Sequence, residues 1–146
     1  MTPRKSVELS LGEQVLELAD RLRATFAAAV AAEGLTFTEG RLLRIALRCS
    51  EQAEITDALG LAPPNVSALL TKLERRGLVT RTSSRSDRRH RGVQVTADGV
   101  AALRRVFDRL DASSPLMTVL DLDERVVLED IVTRLLAAPS GESAPG

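Results

Sequence analysis

Arginine is concentrated in one segment of this chain, and its guanidinium group is well suited to binding phosphate. Residues 72–91 hold eight lysine and arginine residues but only two acidic ones, Glu74 and Asp87, although the whole chain carries 20 of each sign. The rest of the chain is therefore acidic. A basic patch on an otherwise acidic molecule orients a protein in the electric field of a nucleic acid. The alternative interpretation is a solvated charged loop, which is what most charge runs are.

Residue types that support catalysis are scarce. The chain has one histidine, His90, and one cysteine, Cys49, and no tyrosine or tryptophan. It has no glycine-rich phosphate loop and no Cys/His cluster for a metal. We therefore expect no catalytic residues, no metal site, no cofactor and no enzymatic activity. Cys49 is interpreted either as a small inert hydrophobe or as a redox sensor, and His90 either as a phosphate contact or as a solvated side chain.

The composition is that of a small globular protein. The 146 residues are enough for one domain, with 44% hydrophobic and 27% charged residues. No apolar run approaches the roughly 20 residues that a membrane span needs, and the N-terminus lacks the features of a signal peptide. One cysteine cannot form an internal disulfide, which favours a reducing compartment. These observations predict a cytoplasmic protein with no membrane partner.

Six segments carry apolar residues at helical spacing. Capping boxes predict that helices begin after Ser10, Thr36 and Asp121, each followed three residues later by glutamate. Ser50 is the predicted N-cap of the third helix, and Thr96 that of the fifth. The fourth helix begins at one of two consecutive prolines, which the first helical turn tolerates. Glycines at positions 34, 60 and 77 are predicted to end the first, third and fourth helices.

Two short extended runs, 78–82 and 92–96, flank a polar loop of sequence SSRSDRRHR. The predicted order is therefore α-α-α-α-β-β-α-α, and the third and fourth helices meet with helix-turn-helix spacing. The fourth helix is amphipathic, and its inward side carries Val66, Leu69, Leu70 and Leu73. Its other side faces a DNA major groove in this interpretation, while the arginine-rich hairpin reaches an adjacent minor groove.

The stretch AEITDALGLAPPNVSALLTKLERRGLVTRTSSRSDRRHRGVQVTADG resembles the MarR family of bacterial winged helix-turn-helix regulators. LERRGLV closes the recognition helix, and DRRHRGVQVTADG forms the far side of the wing. The resemblance implies a mainly α fold with a small β-hairpin wing and with N- and C-terminal dimerisation helices. It implies one domain over 9–138, with the winged core at about 36–96 and dimerisation helices at about 9–33 and 97–138. Residues 1–8 are then a flexible N-terminus, and 139–146 a disordered tail.

The resemblance also implies a homodimer that binds a pseudo-palindromic double-stranded DNA operator. In the family, the acidic residue of the wing orients an arginine that enters the minor groove, and Asp87 and Arg89 match that D-x-R pattern. The predicted DNA-binding residues are Pro64, Asn65, Ser67, Ala68, Thr71, Lys72, Arg85, Asp87, Arg88, Arg89 and Arg91. The early recognition helix departs from the family pattern, because two prolines remove two N–H donors that could bind an anion.

The sequence therefore predicts a DNA-binding transcription regulator, implied by the family to be a repressor that a small aromatic acid or lipophilic inducer releases from DNA. Nothing in the residues names that inducer. Phe26 is interpreted either as a lining residue of the inducer pocket or as a core residue. The alternative function is a winged-helix protein-interaction module that has lost specific DNA binding, which the double proline and Ala68 favour.

Overall fold

The computed structural model describes residues 9–84 and 87–139, except for the side chains at 83, 84 and 87–90. Its elements are α1 (Leu11–Ala32), α2 (Phe37–Ala46), α3 (Gln52–Leu59), α4 (Pro63–Arg75), β1 (Val79–Ser84), β2 (Asp87–Val95), α5 (Ala97–Ser113), α6 (Pro115–Thr118) and α7 (Leu122–Ala137). The predicted fold class is confirmed, since one antiparallel hairpin interrupts a helical chain. The predicted flexible N-terminus and the predicted tail from 140 onwards lie outside the described residues.

Local capping decides where three of the helices begin. The side chains of Ser10, Thr36 and Asp121 each accept the backbone N–H of a glutamate three residues later, and that glutamate accepts the cap residue's own N–H. Each box pairs two N–H groups that a helix start otherwise leaves without a partner. Gly60 follows α3 at φ +67° and Gly77 follows α4 at φ +72°, a backbone region that favours glycine. These predicted boundaries are confirmed.

The prediction that Ser50 caps the third helix is wrong, because Glu51 is the N-cap of α3. The segment before α3 pairs with the wing instead. The backbone N–H of Val93 donates to the carbonyl of Ser50 at 2.7 Å, and Glu51 forms a bridge with Gly92. This pairing ties the start of α3 to β2.

The prediction that residues 83–91 form a loop is also wrong at 83, 84 and 87–91, which lie in strands, whereas 85 and 86 lie outside the described residues. The strands β1 and β2 extend into it, with Ser83 paired to Arg91 and Ser84 to Asp87 across an irregularity in the register. The sequence of this segment, SSRSDRRHR, is polar throughout, so it lacks the apolar alternation from which strands are recognised. The hairpin is therefore longer than the sequence predicts.

The described residues divide into two compact units, one ending at Leu110 and one beginning at Asp111. The first contains the hydrophobic core, in which α1, α2, α3, α4, the base of the wing and α5 each bury apolar side chains. Its most buried large residues include Leu42, Leu43, Ile55, Leu70, Leu73 and Leu103. The core thus holds the helix-turn-helix and the base of the hairpin in one body.

The second unit contains α6 and α7. The short helix α6, which the sequence did not predict, begins at Pro115 after the N-cap Ser114. Arg125 holds its end by donating to the carbonyls of Met117 and Leu120 at 2.6 and 3.0 Å. None of the residues of α7 is buried in the single chain. No helix in the described part of the chain is long and apolar enough to cross a bilayer.

Candidate nucleic-acid interface

The turn between α3 and α4 sets the direction of α4, which is the predicted recognition helix. Gly60 adopts its left-handed conformation at the end of α3, and α4 begins three residues later at Pro63. The guanidinium of Arg41 donates to the carbonyls of Ala58 and Leu59 at 3.3 and 3.4 Å, which pairs α3's final carbonyls. Pro63 occupies the first helical turn, so its missing N–H removes no bond within the helix. The two prolines are therefore accommodated without disturbing α4.

The amphipathic division predicted for α4 is present. Val66, Leu70 and Leu73 are buried, and Leu69 is half-buried against the core. On the opposite side, four of the predicted contact residues are exposed and two are half-buried. The exposed ones are Pro64, Asn65, Ala68 and Lys72, and the half-buried ones are Ser67 and Thr71. All six stay predicted DNA contacts.

Thr71 is engaged inside the protein. Its hydroxyl donates to the carbonyl of Ser67 at 3.0 Å and accepts from Nη2 of Arg81 at 2.9 Å. Arg81 also lies 3.2 Å from Oε1 of Glu74, whose other oxygen accepts the Arg81 backbone N–H. The hydrogen bond from Arg81 lowers the pKa of Glu74 below its ordinary value. Arg81 thus joins β1 to the recognition helix.

Lys72 is also engaged, although its side chain is 60% exposed. Its Nζ lies 2.7 Å from Oε1 of Glu39, a carboxylate only 1% exposed in the third position of α2. Arg76, the C-cap residue of α4, lies 3.9 Å from Oε2 of the same carboxylate. Two cations at the C-terminal end of α4 therefore contact one buried carboxylate of α2.

Arg76 connects α4 to a third element. It donates to the carbonyl of Gly34 at 2.8 Å and to that of Glu33 at 3.3 Å, at the end of α1. The carboxylate of Glu33 in turn accepts from Arg105 of α5 at 2.9 Å. That hydrogen bond, with the charges of Arg105 and Arg109, holds the pKa of Glu33 below its ordinary value.

The wing carries the remaining predicted contacts. Arg85 lies outside the described residues, and for Asp87, Arg88 and Arg89 the description covers the backbone, in β2, but not the side chains. The same holds for His90. Arg91 is exposed at the edge of a cleft lined also by Gln52, Ala53, Thr56, Asp57 and Pro63. This cleft lies where α3, α4 and the wing meet, so Arg91 is placed beside the helix-turn-helix.

Three residues important to this surface were not among the predicted site residues: Glu39, Arg76 and Arg81. Glu39 was recognised only as the second half of a capping box. Its partners on α4 are more than 30 positions away, and no local pattern reports such a contact. The one sequence feature that could have indicated this contact is an acidic residue on the otherwise apolar face of α2.

Other candidate sites gain little from the structure. Phe26 is buried in the core, 5.6 Å from Phe37 in an edge-to-face arrangement, which favours its core interpretation. Cys49 is half-buried and packs against the same core. Within the described ranges, no group of three His, Cys, Asp or Glu residues could hold a metal ion.

Comparison with known proteins gives the family. A model of the MarR family matches residues 33–90. The transcriptional repressor CouR, solved on a 23-mer DNA duplex, is 32% identical, with a TM-score of 0.69 over 92% of this chain and 99% of that one. This chain belongs to the MarR family.

Two further structures of MarR proteins share the fold. One is a family member from Mycobacterium tuberculosis in complex with salicylic acid, 25% identical with a TM-score of 0.66 over 89% of this chain and 98% of that one. The other is the wild-type MarR of E. coli, 19% identical with a TM-score of 0.70 over 88% and 97% of the two chains. MarR proteins are dimeric transcriptional regulators and not enzymes.

Proposed function

We propose that this chain is a ligand-responsive, sequence-specific DNA-binding repressor that acts as a homodimer in the cytoplasm. The observation that carries the proposal is the exposed face of α4 beside a long arginine-rich hairpin, on a chain 32% identical to a repressor solved on DNA. A winged helix binds a duplex through its recognition helix in the major groove and through its wing in an adjacent minor groove.

Specificity is assigned to α4 and affinity to the wing. Asn65 can pair with adenine through two hydrogen bonds, and Ser67, Thr71 and Lys72 lie further along the same face. The wing arginines at 85, 88, 89 and 91 are the proposed phosphate and minor-groove contacts. Lys72, Arg76 and Arg81 each lie close to a carboxylate, so the positive charge of these three residues is partly compensated within the chain.

The homodimer is supported by apolar surface that the single chain leaves exposed. Leu11, Val15 and Leu16 on α1 are between 54% and 76% exposed, and α7 exposes a larger set. That set is Leu122, Val126, Val127, Ile131, Val132, Leu135 and Leu136. Several large exposed apolar side chains on one helix mark a surface that another chain covers.

Response to a ligand is proposed from the relative that was solved with salicylic acid. A small aromatic or lipophilic acid is accordingly the first class of compound to test as an inducer. Release of a preformed DNA complex by such an acid, at a concentration that leaves the protein folded, is the expected result.

An electrophoretic mobility shift with DNA from upstream of the chain's own gene tests DNA binding. The proposal predicts a site-specific complex whose log affinity falls linearly with log salt, by about 0.9 for each phosphate neutralised. A complex absent even at low salt would favour the protein-interaction module, toward which the two prolines and Ala68 point.

A further inference from the structure

Glu39 is a buried charge with more partners than its position in α2 requires. A carboxylate this deeply buried is rare unless it is paired. Its Oε2 accepts the backbone N–H of Thr36 at 2.9 Å, which completes the capping box. Its Oε1 takes no part in that box and lies 2.7 Å from Nζ of Lys72. The second oxygen is therefore available to hold the recognition helix.

The other two capping boxes of this chain provide an internal comparison. Glu13 in α1 and Glu124 in α7 perform the same capping role, and both are exposed. Capping a helix therefore does not require the glutamate to be buried or to contact another helix. The burial of Glu39 and its contacts with Lys72 and Arg76 need a different explanation.

That explanation lies in where the two cations sit. Lys72 is in the last turn of α4 and Arg76 is its C-cap. The carboxylate of Glu39 therefore contacts two cations at the C-terminal end of the recognition helix. Arg76 extends the same contact to the carbonyls of Gly34 and Glu33. The end of α4 is thereby fixed to the start of α2 and the end of α1, and its angle determines where the other end of the helix points.

We infer that Glu39 is a positioning residue for DNA recognition, which acts by holding Lys72 and Arg76 and so fixing the orientation of α4. Lys72 then contributes to specificity through its ion pair with Glu39, and not by binding a DNA phosphate. If Lys72 left Glu39 for a phosphate, it would abandon a buried carboxylate, which is costly. This inference rests on the proposed function and adds a residue that does not touch DNA.

The test compares Glu39→Gln, Lys72→Met and the double variant with the wild-type protein in fluorescence-anisotropy titrations. Each variant is titrated onto upstream DNA and onto a scrambled duplex of the same composition, at several salt concentrations. Glu13→Gln is the matched control, since it removes the same charge from an exposed capping box. Oligomeric state is measured for all four variants.

Positioning predicts that both single variants weaken binding to upstream DNA by about tenfold, a typical coupling for contacting residues. Binding to the scrambled duplex, which the wing phosphate contacts supply, changes much less. The double variant loses no more than the worse single variant, and the salt slope stays that of the wild type. Glu13→Gln binds as the wild type does.

The opposite results would overturn the inference. If Lys72 contacts a phosphate, Lys72→Met lowers the salt slope by about 0.9. Glu39→Gln then frees the lysine and removes a negative charge, so it leaves affinity unchanged or raises it. Equal losses on both duplexes would show that Glu39 only stabilises the fold.

A second measurement separates this inference from the proposed function. Urea unfolding of the wild type, the two single variants and the double variant gives the coupling between Glu39 and Lys72 without any DNA. If wild-type protein binds no upstream DNA, the proposed function fails, whatever the coupling. If the wild type binds but the coupling is zero, Glu39 does not hold Lys72 and the positioning role fails. Lys72→Met keeps the test available if Glu39→Gln does not fold, because Lys72 is mostly exposed.

Discussion

Asn65 is the exposed polar side chain of α4 that is best suited to reading a base, because its amide can donate to and accept from adenine. It lies in the third position of α4, where side chains of a recognition helix contact base edges. We predict that Asn65→Ala reduces discrimination between the preferred base and the others by about 1–3 kcal/mol. The measurement is competition binding with operators changed at single positions.

Arg89→Ala is the matched variant for that experiment. It removes a proposed wing contact, so it should weaken binding to every duplex by a similar factor. Equal losses on matched and mismatched duplexes for Asn65→Ala would contradict its role in base reading.

Glu39 also predicts a pH dependence of stability. Burial by itself raises the pKa of Glu39, but the close contact with Lys72, the hydrogen bond from the Thr36 backbone N–H and the charges of Lys72 and Arg76 outweigh it and lower the pKa below the ordinary 4.5. A carboxyl group whose pKa is lowered by folding contributes stability that is present above its unfolded pKa and is lost as pH falls through the folded pKa. The contribution of Glu39 is thus complete at pH 7 and disappears in acid.

We therefore expect Glu39→Gln to be less stable than the wild type at pH 7, by about 1–3 kcal/mol. The difference should shrink below about pH 4.5, because protonated glutamate resembles glutamine. Urea unfolding at neutral and acidic pH measures it. The other carboxyl groups titrate in both proteins, so the difference reports Glu39 alone. A difference that is constant with pH would contradict the ion pair.

Close packing against backbone atoms, as well as ion pairs, holds the helices and the wing together. At Gly99 in the first turn of α5, an added Cβ would overlap the carbonyl oxygen of Leu78 and lie 2.6 Å from Cγ1 of Val95. The first of these is a backbone atom, which cannot move aside independently. Gly99 therefore allows α5 to start against the base of the wing.

Gly99→Ala is expected to destabilise the protein by about 1–3 kcal/mol, the usual cost of overpacking. Thermal unfolding measures the loss. Gly12→Ala in α1 is the control: its added Cβ would meet only Ser10 Oγ at 3.9 Å, and alanine favours the helix by about 0.5–1 kcal/mol. Unchanged or increased stability of Gly99→Ala would show that α5 can shift away from the wing.

At the scale of elements, prediction succeeded where the signal was local. Capping boxes at Ser10, Thr36 and Asp121 predict helix starts because donor and acceptor are three residues apart. The predicted start of the third helix at Ser50 was wrong, because the carbonyl of Ser50 accepts a hydrogen bond from a strand more than 40 residues later. Likewise, Glu39 was predicted as a cap but not as an ion-pair partner, because only the tertiary structure brings Lys72 to it.

At the scale of the whole molecule, the exposed apolar side chains of α7 are the strongest reason to expect a partner. Leu135 is 67% exposed in the single chain. Leu135→Glu should shift the protein from dimer to monomer, because it places a charge on a surface that dimerisation would bury. Sedimentation velocity measures the shift.

Asp130→Ala on the same helix is the control, since its exposed pair with Arg134 contributes little. A Leu135→Glu protein that remains dimeric at the wild-type concentration dependence would exclude this face of α7 from the interface. The dimer itself would then have to use other exposed residues, such as Leu11 of α1.

Two copies of this chain are expected to recognise one operator. The most direct measurement is the mass of the complex that forms on labelled DNA from upstream of its own gene, at physiological salt, beside a scrambled duplex of equal length. We expect two chains on the upstream duplex and no stable complex on the scrambled one at the same concentration. Equal binding to both duplexes, a single bound chain, or no complex with either would contradict this expectation.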